Sequence, residues 1–535
     1  MRAGAFWVGL VGLLALGVGV RAAIIASPLG EIDGDEAVVG LMARHIAFLG
    51  ERPVFYYGQP YLGSLEAFSA APLFRLFDSS SLLLKLVPTA YSLAFLVTSA
   101  ALARRLFGSG PALATAAYLA VPPAMWAVWS TKARGGYAEV LFLGELVLLL
   151  SLLLAERRDL RLALLWGLVA GLALWTHLLA VVYVVPAVAY LALWRRGNCL
   201  PSELGLALGG GLVGLAPLLF DNVANGWTTL RALTQPPDIP LDVPAQFARF
   251  FRVGVPVLLG LGQPTTSETL FDADWGQRPA GHLWVALLAL GLLAVACVVH
   301  LPALRALLSR TLRRTANGGS EADATNVDAP CGATSTSAAG PALLLLVALV
   351  VPPVVAATRF GFFVAEPRYA LPLYATVPLL IAAVWRLPIP LRAALLAGLL
   401  VFNVWSVVST DPRLWRPEDA PDSTAATRAE LVAYVVAQDR HQLYTDYWIG
   451  YPVMFETRET VLAYVISGGF NRYLPPADNV QRTPNPAWVF VPGTEAEQTF
   501  LSQLAQADGH ADVAQVATYR VYTNVEPLAA LRPHT

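Results

Sequence analysis

Residues 5 to 36 read AFWVGLVGLLALGVGVRAAIIASPLGEIDGDE, an apolar run followed at once by an acidic segment. The apolar run, residues 5–27, is long enough to cross a hydrocarbon core about 30 Å thick. It is longer than the apolar part of a typical signal peptide, and many more such runs follow, so we expect it to remain as the first membrane span. The acidic segment, residues 31–36, is therefore expected at a membrane face, where carboxylates are candidates for catalysis.

The composition of the whole chain agrees with a polytopic membrane protein. Hydrophobic residues make up 56% of the 535 and charged residues 14%, and the mean hydropathy is +0.56, which excludes a soluble globular protein. About eleven apolar segments are long enough to span a membrane. Residues 246–262 could span the membrane, re-enter it or lie on its surface. The predicted spans are residues 5–27, 82–103, 110–128, 138–155, 161–177, 179–194, 203–221, 282–303, 341–358, 369–386 and 392–410.

Basic residues occupy alternate short connections between the predicted spans, and that side is predicted to be cytoplasmic. With an odd number of spans, the N-terminus is then cytoplasmic, whereas the first loop, residues 28–81, and the C-terminal region lie outside the cytoplasm. This topology suits a multi-pass protein of the plasma (inner) membrane. The basic residues are Arg2, Arg104, Arg105, Arg157, Arg158, Arg195, Arg196, Arg305, Arg310, Arg313, Arg314, Arg386 and Arg392.

The chain divides into a predicted transmembrane domain, residues 1–410, and a C-terminal domain, residues 411–535. In the first loop, apolar residues recur twice at helical spacing, which predicts two juxtamembrane helices. Beyond residue 410 the sequence is more polar and alternates between strand-like and helix-like runs, which predicts a small extracytoplasmic α/β domain. The strand-like runs are residues 442–445, 461–465 and 487–491, and the helix-like runs are residues 426–438 and 495–507.

The expected fold class is therefore an all-α polytopic membrane protein of about eleven transmembrane helices with a C-terminal α/β domain. None of the three cysteines lies in the C-terminal domain, so disulfides are not expected to stabilise it. The net charge of −1 argues against a nucleic-acid partner.

Three stretches resemble the GT-C superfamily of membrane glycosyltransferases, in particular the branch of protein O-mannosyltransferases and lipid A aminoarabinose transferases. The stretches are Asp35-Glu36 soon after the first span, residues 59–77 (QPYLGSLEAFSAAPLFRLF), and residues 366–374 (EPRYALPLY) at the start of a late span. The resemblance implies a GT-C-like transmembrane catalytic domain. It also implies transfer of a monosaccharide from a polyprenyl-phosphate donor to a protein, lipid or glycan acceptor at the external face of the bilayer.

Asp35 matches the acidic catalytic position of that family, and Glu36 is its neighbour. The resemblance implies that Asp35 is a base or an acceptor-orienting group in an inverting displacement, an effect worth about 10²–10⁴ in rate. One carboxylate can suffice, unlike the paired acids of glycoside hydrolases, because phosphate leaves without much acid assistance. From the residues alone, an Asp before an apolar helical pattern is typical of a helix N-cap. Asp33 could be that cap and leave Asp35 free.

The phosphate of a lipid carrier needs cations near the low-dielectric boundary. Arg368 is the first candidate, since it resembles the family arginine thought to meet that phosphate; the alternative is an interfacial arginine beside the belt residue Tyr369. Lys132 and Arg134 are the second candidates, and ordinary loop charge is their alternative. Lys85, in the opening turn of the second span, is interpreted as a snorkelling lysine.

Further candidates for substrate binding are Glu139, His177 and Tyr369. An ionisable group inside an apolar span, such as Glu139, is costly enough to indicate function, and we expect it to face a cavity beside Arg134. His177 lies at the predicted turn between two spans, where it either touches substrate or is an interface residue.

Aromatic residues give a further set with two interpretations. Tyr57 and Tyr61 offer faces and hydroxyls to a sugar, or they anchor the loop at the interface. In the C-terminal domain, core packing is the default for four aromatic residues, and covering the cavity or binding an acceptor glycan is the alternative. The four are Tyr444, Tyr447, Trp448 and Tyr451.

Carboxylates of the first loop could also hold a divalent metal through Asp33, Asp35, Glu36 and Glu66. No spacing among them requires a metal, so no metal or other cofactor is predicted, and Glu66 is kept as a substrate-binding candidate.

Two other classes of function compete with an enzyme. A transporter or flippase of a lipid-linked sugar would place its binding groups near the bilayer midplane, usually in repeated halves, and the sequence shows neither a repeat nor a midplane charge cluster. A noncatalytic glycan-binding membrane protein explains the C-terminal domain but not the acidic first loop. Asp35→Asn should abolish transfer in an enzyme, whereas a transporter should be more sensitive at the midplane Glu145.

Overall fold

The structure, a computed structural model, describes residues 3–195, 201–235, 242–262, 283–316, 339–358, 366–417 and 420–532. Within these ranges the predicted spans are mostly helical. The helices up to residue 408 are Ala3–Ile25 (α1), Gly34–Arg44 (α2), Leu65–Phe77 (α3), Ser81–Phe107 (α4), Ser109–Ala120 (α5), Ala124–Trp129 (α6), Tyr137–Glu156 (α7), Leu160–Thr176 (α8), Val181–Arg195 (α9), Pro201–Gly214 (α10), Ala216–Ala224 (α11), Thr228–Thr234 (α12), Val243–Arg249 (α13), Val255–Leu258 (α14), Leu283–Ala316 (α15), Pro341–Ala357 (α16), Val377–Val384 (α17) and Ile389–Val408 (α18).

Among the described residues, five helices are long and apolar enough to cross a membrane: Gly4–Ile25, Ser81–Phe107, Tyr137–Glu156, Leu290–Ser309 and Ile389–Val408. The pair α10 and α11 passes the same test together but is bent by 61°. Four shorter apolar helices complete the set: Leu160–Thr176, Leu178–Trp194, Pro341–Ala357 and Arg368–Val384. The structure therefore confirms a mostly helical, apolar protein, and the number of spans stays a prediction.

The predicted span at residues 110–128 is not one continuous helix. Pro122 and Pro123 separate α5 from α6, because proline removes a backbone donor and clashes with the preceding turn. In an apolar environment the exposed backbone groups need protein partners. Side chains of α1 and α18 supply them: Arg21 donates to the Leu119 carbonyl (3.2 Å), Asn403 donates to the Val121 carbonyl (2.8 Å), and Ser406 accepts from the Ala124 N–H (3.1 Å).

Residues 246–262 also depart from a simple span. They form α13, a π-helical turn at Phe250–Gly254, and α14. Their side chains from Val253 to Leu258 are buried, and the Tyr374 hydroxyl donates to the Leu258 carbonyl at 2.5 Å. Residues 253–258 therefore pack inside the protein, whereas Phe247 in α13 is 40% exposed.

The two helices predicted in the first loop are present as α2 and α3. The backbone continues from α2 through a π-helical turn, His45–Leu49, which ends at Gly50 with a φ of +74°. α2 packs against α3 and also against a helix of the C-terminal region, Tyr447–Glu456, where Gly40 lies directly beneath the Phe455 ring. The first loop is thus enclosed between the bundle and the C-terminal region.

The C-terminal region contains one five-stranded mixed sheet. Its strand order is β2-β1-β3-β5-β4, with β2, β1 and β3 parallel and β5 and β4 antiparallel. The three predicted strands and two predicted helices are confirmed, and the final hairpin was not predicted. The strands are Gln442–Asp446 (β1), Leu462–Ser467 (β2), Ala487–Phe490 (β3), His510–Val516 (β4) and Tyr519–Glu526 (β5); the helices are Ala425–Ala437 (α19), Tyr447–Glu456 (α20), Leu474–Arg482 (α21), Glu495–Gln506 (α22) and Leu528–Leu531 (α23).

Candidate functional site

Asp33 is the N-cap of α2. Its Oδ1 accepts the Glu36 N–H at 3.1 Å, which settles the choice of cap between Asp33 and Asp35. Its Oδ2 accepts from Lys132 Nζ at 2.7 Å and from Arg134 Nε at 2.8 Å. Burial alone would raise the pKa of Asp33, but the charges and hydrogen bonds of Arg134 and Lys132 hold it well below its ordinary value. Asp33 is therefore a buried structural carboxylate.

Arg134 joins three distant segments of the chain. It donates to Asp33, and its Nη1 also donates to Glu366 Oε1 at 3.0 Å. Glu366 lies two residues before Arg368 in the sequence. Burial alone would lower the pKa of Arg134, but the carboxylates of Asp33, Glu366 and Asp35 outweigh burial and raise it well above its ordinary value. The loop after α6 is thereby fixed to the start of α2 and to the segment before Arg368.

Glu36 lies inside the protein, with no exposed surface. Its Oε1 accepts from Lys85 Nζ at 2.5 Å and from the Ala133 N–H at 3.1 Å, and Lys132 Nζ is 3.6 Å from its Oε2. The interpretation of Lys85 as a snorkelling lysine was wrong, because its side chain is 1% exposed and paired with Glu36. We call the six charged residues that meet here the ion cluster: Asp33, Glu36, Lys85, Lys132, Arg134 and Glu366.

Asp35 lies beside the ion cluster in a different environment. Its side chain is 19% exposed, and its Oδ1 accepts from the Tyr447 hydroxyl at 2.7 Å. Arg472 Nη2 and the Tyr56 hydroxyl are each 3.4 Å from the same oxygen. Within the part of the chain that the structure describes, its Oδ2 accepts no hydrogen bond. We call Asp35, Tyr56, Tyr447 and Arg472 the Asp35 pocket.

The Asp35 pocket corrects the expectation for the C-terminal aromatic residues. Tyr447 and Tyr451 pack against the first loop instead of only filling the core of the C-terminal region. Trp448 is partly buried and packs both against the apolar core of the first loop and against that of the C-terminal region. Tyr444 lies in the sheet core, stacked on Trp488 with ring centroids 4.2 Å apart. Tyr447 thus contributes to the contact between the C-terminal region and the first loop, because its hydroxyl contacts Asp35.

Arg368 lies next to a group of buried aromatic rings. Its side chain is 16% exposed, 4.0 Å from Glu366 Oε2 and above the Tyr369 ring at 5.7 Å. Tyr137 lies between the rings of Tyr369, at 6.1 Å, and His177, at 4.9 Å. This grouping places Arg368, Tyr369 and His177 close together.

His177 is buried, not exposed at an interface. Its Nδ1 accepts the Leu179 N–H at 3.0 Å, which assigns the proton of the neutral ring to Nε2. Burial, with the nearby charge of Arg368, lowers the pKa of His177 to about 3. The histidine is therefore neutral near pH 7 and presents an Nε2–H donor within the group of aromatic rings.

Glu66 and Glu139 lie close together beneath the loop after Arg134. Glu66 Oε2 accepts the N–H groups of Gly135 and Gly136 at 2.7 and 3.0 Å, and both glycines have a φ near +90° that suits residues without a Cβ. Burial and the charge of Glu139 raise the pKa of Glu66 well above its ordinary value. Glu139 thus neighbours Glu66 and is fully buried, whereas the Arg134 guanidinium, beside which Glu139 was expected, is bonded to Asp33 and Glu366.

Tyr57 and Tyr61 lie outside the Asp35 pocket. The Tyr57 hydroxyl donates to Glu51 Oε2 at 2.6 Å, and its ring stacks on Tyr473 with centroids 4.7 Å apart. His45 Nδ1 lies 2.9 Å from the Tyr57 hydroxyl and His45 Nε2 lies 3.0 Å from Glu459 Oε1. These contacts join the first loop to the C-terminal region. Tyr61 is half-buried against the apolar core of the same loop.

The carboxylates considered for a metal do not form a shared set of ligands. The described residues contain no group of three or more His, Cys, Asp or Glu side chains arranged to hold a metal ion. Oxygens of Asp33 and Glu36 already contact lysine and arginine side chains.

Two site residues have functions that the sequence interpretation did not assign. Glu366 was visible in the EPRY stretch, two residues before Arg368, but its partner Arg134 is far away in sequence. Arg472 follows a strand in the loop GGFNRY, residues 468–473, and such a loop is a general indication of function. Nothing local to Arg472 indicates contact with Asp35.

Comparison with known proteins finds one family model and several solved structures that are similar to this chain. The family model for dolichyl-phosphate-mannose-protein mannosyltransferase matches residues 65–220. The structure is similar to ArnT from Cupriavidus metallidurans bound to undecaprenyl phosphate, with a TM-score of 0.56, 14% identity and 100% of both chains covered. It is also similar to the apo state of ArnT from that organism, with a TM-score of 0.50, 16% identity and 100% of both chains covered.

A further similarity is to the archaeal oligosaccharyltransferase AglB from Archaeoglobus fulgidus in complex with an inhibitory peptide and a dolichol-phosphate. There the TM-score is 0.45 and the identity 12%, and the alignment covers 98% of this chain and 75% of AglB. No curated protein sequence matches the chain.

The protein thus has a fold similar to that of ArnT, and its residues 65–220 match a mannosyltransferase family model; these findings confirm the resemblance to GT-C membrane glycosyltransferases noted in the sequence. Within that class, the family match is to the mannosyltransferase model and the similarity over the full chain is to ArnT.

Proposed function

We propose that the protein transfers a monosaccharide from a polyprenyl-phosphate-linked donor to a protein, lipid or glycan acceptor at the external face of the membrane, with inversion. Asp35 is the base or acceptor-orienting carboxylate. The observation that carries this proposal is the state of its two oxygens: Oδ1 is held by Tyr447, while Oδ2 accepts no hydrogen bond within the described residues. Asp35 is also partly exposed, whereas Asp33 and Glu36 are buried and paired with cations.

The proposed reaction is a single displacement. The acceptor oxygen attacks the anomeric carbon, the bond from that carbon to the phosphate oxygen breaks, and the acceptor proton passes to Asp35 Oδ2. The carrier leaves as polyprenyl phosphate, a stable anion, so the main contribution required of the protein is a positioned base. Attack on the face opposite the leaving phosphate inverts the anomeric centre.

Arg368 is proposed to bind the carrier phosphate. Its side chain is partly exposed, lies 4.0 Å from Glu366 Oε2 and is close to the buried rings of Tyr137 and His177. His177, through Nε2–H, and Tyr369 are proposed to lie along the same phosphate or sugar. The undecaprenyl phosphate in the similar ArnT structure supports a carrier of this chemical class.

Lys132 and Arg134 are proposed to act through their positive field, because both are already bonded to carboxylates. Glu36 is proposed to hold Lys85 and the loop after α6, and Glu66 to hold the Gly135-Gly136 turn, with Glu139 beneath it. Tyr57 and Tyr61 are proposed to shape the first loop around the substrate.

The proposal includes the placement of the protein in the membrane. It comprises a transmembrane domain, residues 1–410, a C-terminal region, residues 411–535, outside the cytoplasm, a cytoplasmic N-terminus and an inner-membrane location.

The test is transfer of radiolabelled sugar by purified protein in lipid, from a panel of polyprenyl-phosphate monosaccharides, with wild type and Asp35→Asn. Asp78→Asn is the matched control, since Asp78 is a partly exposed aspartate of the same loop that pairs with Arg458. We expect transfer by wild type and Asp78→Asn and none by Asp35→Asn. Folded wild type that transfers no sugar from any donor, yet moves a lipid-linked sugar across proteoliposomes in a Glu145-dependent way, would contradict the proposal.

A further inference from the structure

The loop after β2, residues 468–473, carries the arginine that reaches Asp35. Arg472 Nη2 is 3.4 Å from Asp35 Oδ1, and its Nε donates to the Tyr447 hydroxyl at 2.7 Å. Tyr447 in turn donates to the same carboxylate oxygen at 2.7 Å. The guanidinium, the phenol and the carboxylate therefore form a closed triangle that fixes which oxygen of Asp35 is occupied.

The guanidinium is also held by its surroundings. It lies over the rings of Phe470, Tyr56 and Tyr447 at 4.6, 5.1 and 5.2 Å, and its side chain is 11% exposed. Burial alone would lower the pKa of Arg472, but Tyr56, Tyr447 and Asp35 raise it above its ordinary value, so it stays charged.

The backbone of this loop is fixed from both sides. The N–H of Arg472 donates to the Tyr451 hydroxyl at 2.6 Å, within the C-terminal region. The next residue, Tyr473, stacks on Tyr57 and donates to Glu51 Oε1 at 2.9 Å, in the first loop. Because Arg472 lies between these two anchors, docking of the C-terminal region sets its distance to Asp35.

We propose that Arg472 is a positioning residue for Asp35, supplied by the C-terminal region, so that the transfer site is complete only when that region is docked on the first loop. This inference rests on the proposed function, in which Asp35 Oδ2 receives the acceptor proton. By holding Oδ1, Arg472 and Tyr447 turn Oδ2 toward the acceptor. A loosened carboxylate loses rate at the chemical step without losing donor affinity.

The test compares kcat and the donor KM of Arg472→Gln, Arg472→Lys and Tyr447→Phe in lipid. Arg520→Gln is the matched control, because Arg520, on β5 of the same region, pairs with Glu497 of α22. We expect Arg472→Gln to lower kcat on the order of 10²-fold at unchanged donor KM, because small displacements of a catalytic group have effects of this size. Arg472→Lys should recover part of that loss, Tyr447→Phe should lower kcat less, and Arg520→Gln should change neither constant.

A double-mutant cycle gives a second readout that a purely structural role would not change. In an Asp35→Glu background, where the carboxylate is already displaced, Arg472→Gln should lower kcat much less than in wild type. Should Arg472→Gln fail to fold, Arg472→Lys and Tyr447→Phe decide the question through kcat alone. An unchanged kcat, or a raised donor KM with unchanged kcat, overturns the inference while Asp35→Asn remains inactive and the proposed function stands. An active Asp35→Asn overturns the proposed function itself.

Discussion

Asp33 and Asp35 are two residues apart in the sequence and lie in opposite chemical environments. Asp33 is 6% exposed, caps α2 and is bonded to Lys132 and Arg134. Asp35 is 19% exposed and is held on one oxygen by Tyr447, with Arg472 beside it. The local sequence around the two aspartates is nearly the same. Whether a carboxylate oxygen is available to a substrate therefore depends on the residues that pack against it.

The same contrast separates the ion cluster from the Asp35 pocket. The ion cluster consists of charges that neutralise one another away from water, an arrangement that is costly to disturb. The Asp35 pocket joins the first loop to the C-terminal region and leaves a carboxylate oxygen available. We propose that the ion cluster is a structural site and that the Asp35 pocket is the site of sugar transfer.

The largest expected effect comes from removing the charge of Asp35. Asp35→Asn should lower the rate of sugar transfer by about 10²–10⁴, because the acceptor hydroxyl loses its base. The thermal midpoint of the variant should remain that of wild type, since Asp35 is partly exposed and does not cap α2. Transfer rates and thermal unfolding in the same lipid preparation measure both. A large drop in the thermal midpoint would assign Asp35 to the structural class.

The corresponding substitution at the other aspartate, Asp33→Asn, should lower the free energy of unfolding. It leaves Lys132 and Arg134 buried with fewer counter-charges, and breaking such a buried pair costs about 3–5 kcal/mol. Thermal unfolding measures the loss, and Asp422→Asn is the control, because its ion pair with Arg413 is exposed at the surface. A stable Asp33→Asn protein that has lost activity would reverse the roles given to the two aspartates.

Arg368→Gln should weaken donor binding. A hydrogen bond to a charged group contributes about 1.5–3 kcal/mol, so the donor KM should rise by roughly 10- to 100-fold while kcat changes less. Arg392→Gln is the control, because Arg392 stacks on Trp385 and lies outside the site. Steady-state kinetics with varied donor concentration measures both constants. An unchanged donor KM would show that the carrier phosphate is bound elsewhere.

The smallest expected effect concerns pH and His177. Its folded pKa of about 3 lies below the unfolded value near 6.5, so protonation favours the unfolded state. Stability is therefore lost as the pH falls below about 6.5, by about 2 kcal/mol at pH 5. Thermal unfolding of wild type and His177→Asn at pH 7 and pH 5 measures it, and the variant should lose less stability. Equal losses in the two proteins would show that His177 does not titrate in this range.

Much of the fold could be predicted from the sequence, because it is encoded locally. Apolar runs of membrane length predicted helices, and short strand-like runs predicted β1, β2 and β3. The cap at Asp33 was recognisable as one of two choices. The break at Pro122-Pro123 was missed because its stabilisation depends on side chains of α1 and α18, which no local pattern reveals.

The candidate site could be predicted only in part. Asp35, Arg368 and Arg134 were identifiable by residue type and by resemblance, yet their partners were not. Glu366 bonds to Arg134 across 232 positions, and Arg472 lies 437 positions from Asp35. Such contacts form when packing brings separate segments together, so periodicity and spacing do not contain them.

The proposed role of Asp35 in the transfer step is measured most directly by a single-turnover experiment. The protein is first loaded with the donor that supports transfer. Wild type and Asp35→Asn are first matched for bound donor, and acceptor is then added while the release of polyprenyl phosphate is followed. We expect the two proteins to bind the donor equally well and the rate of the transfer step to be lower by about 10²–10⁴ in Asp35→Asn. Equal transfer rates in the two proteins, or loss of donor binding without a slower step, would contradict it.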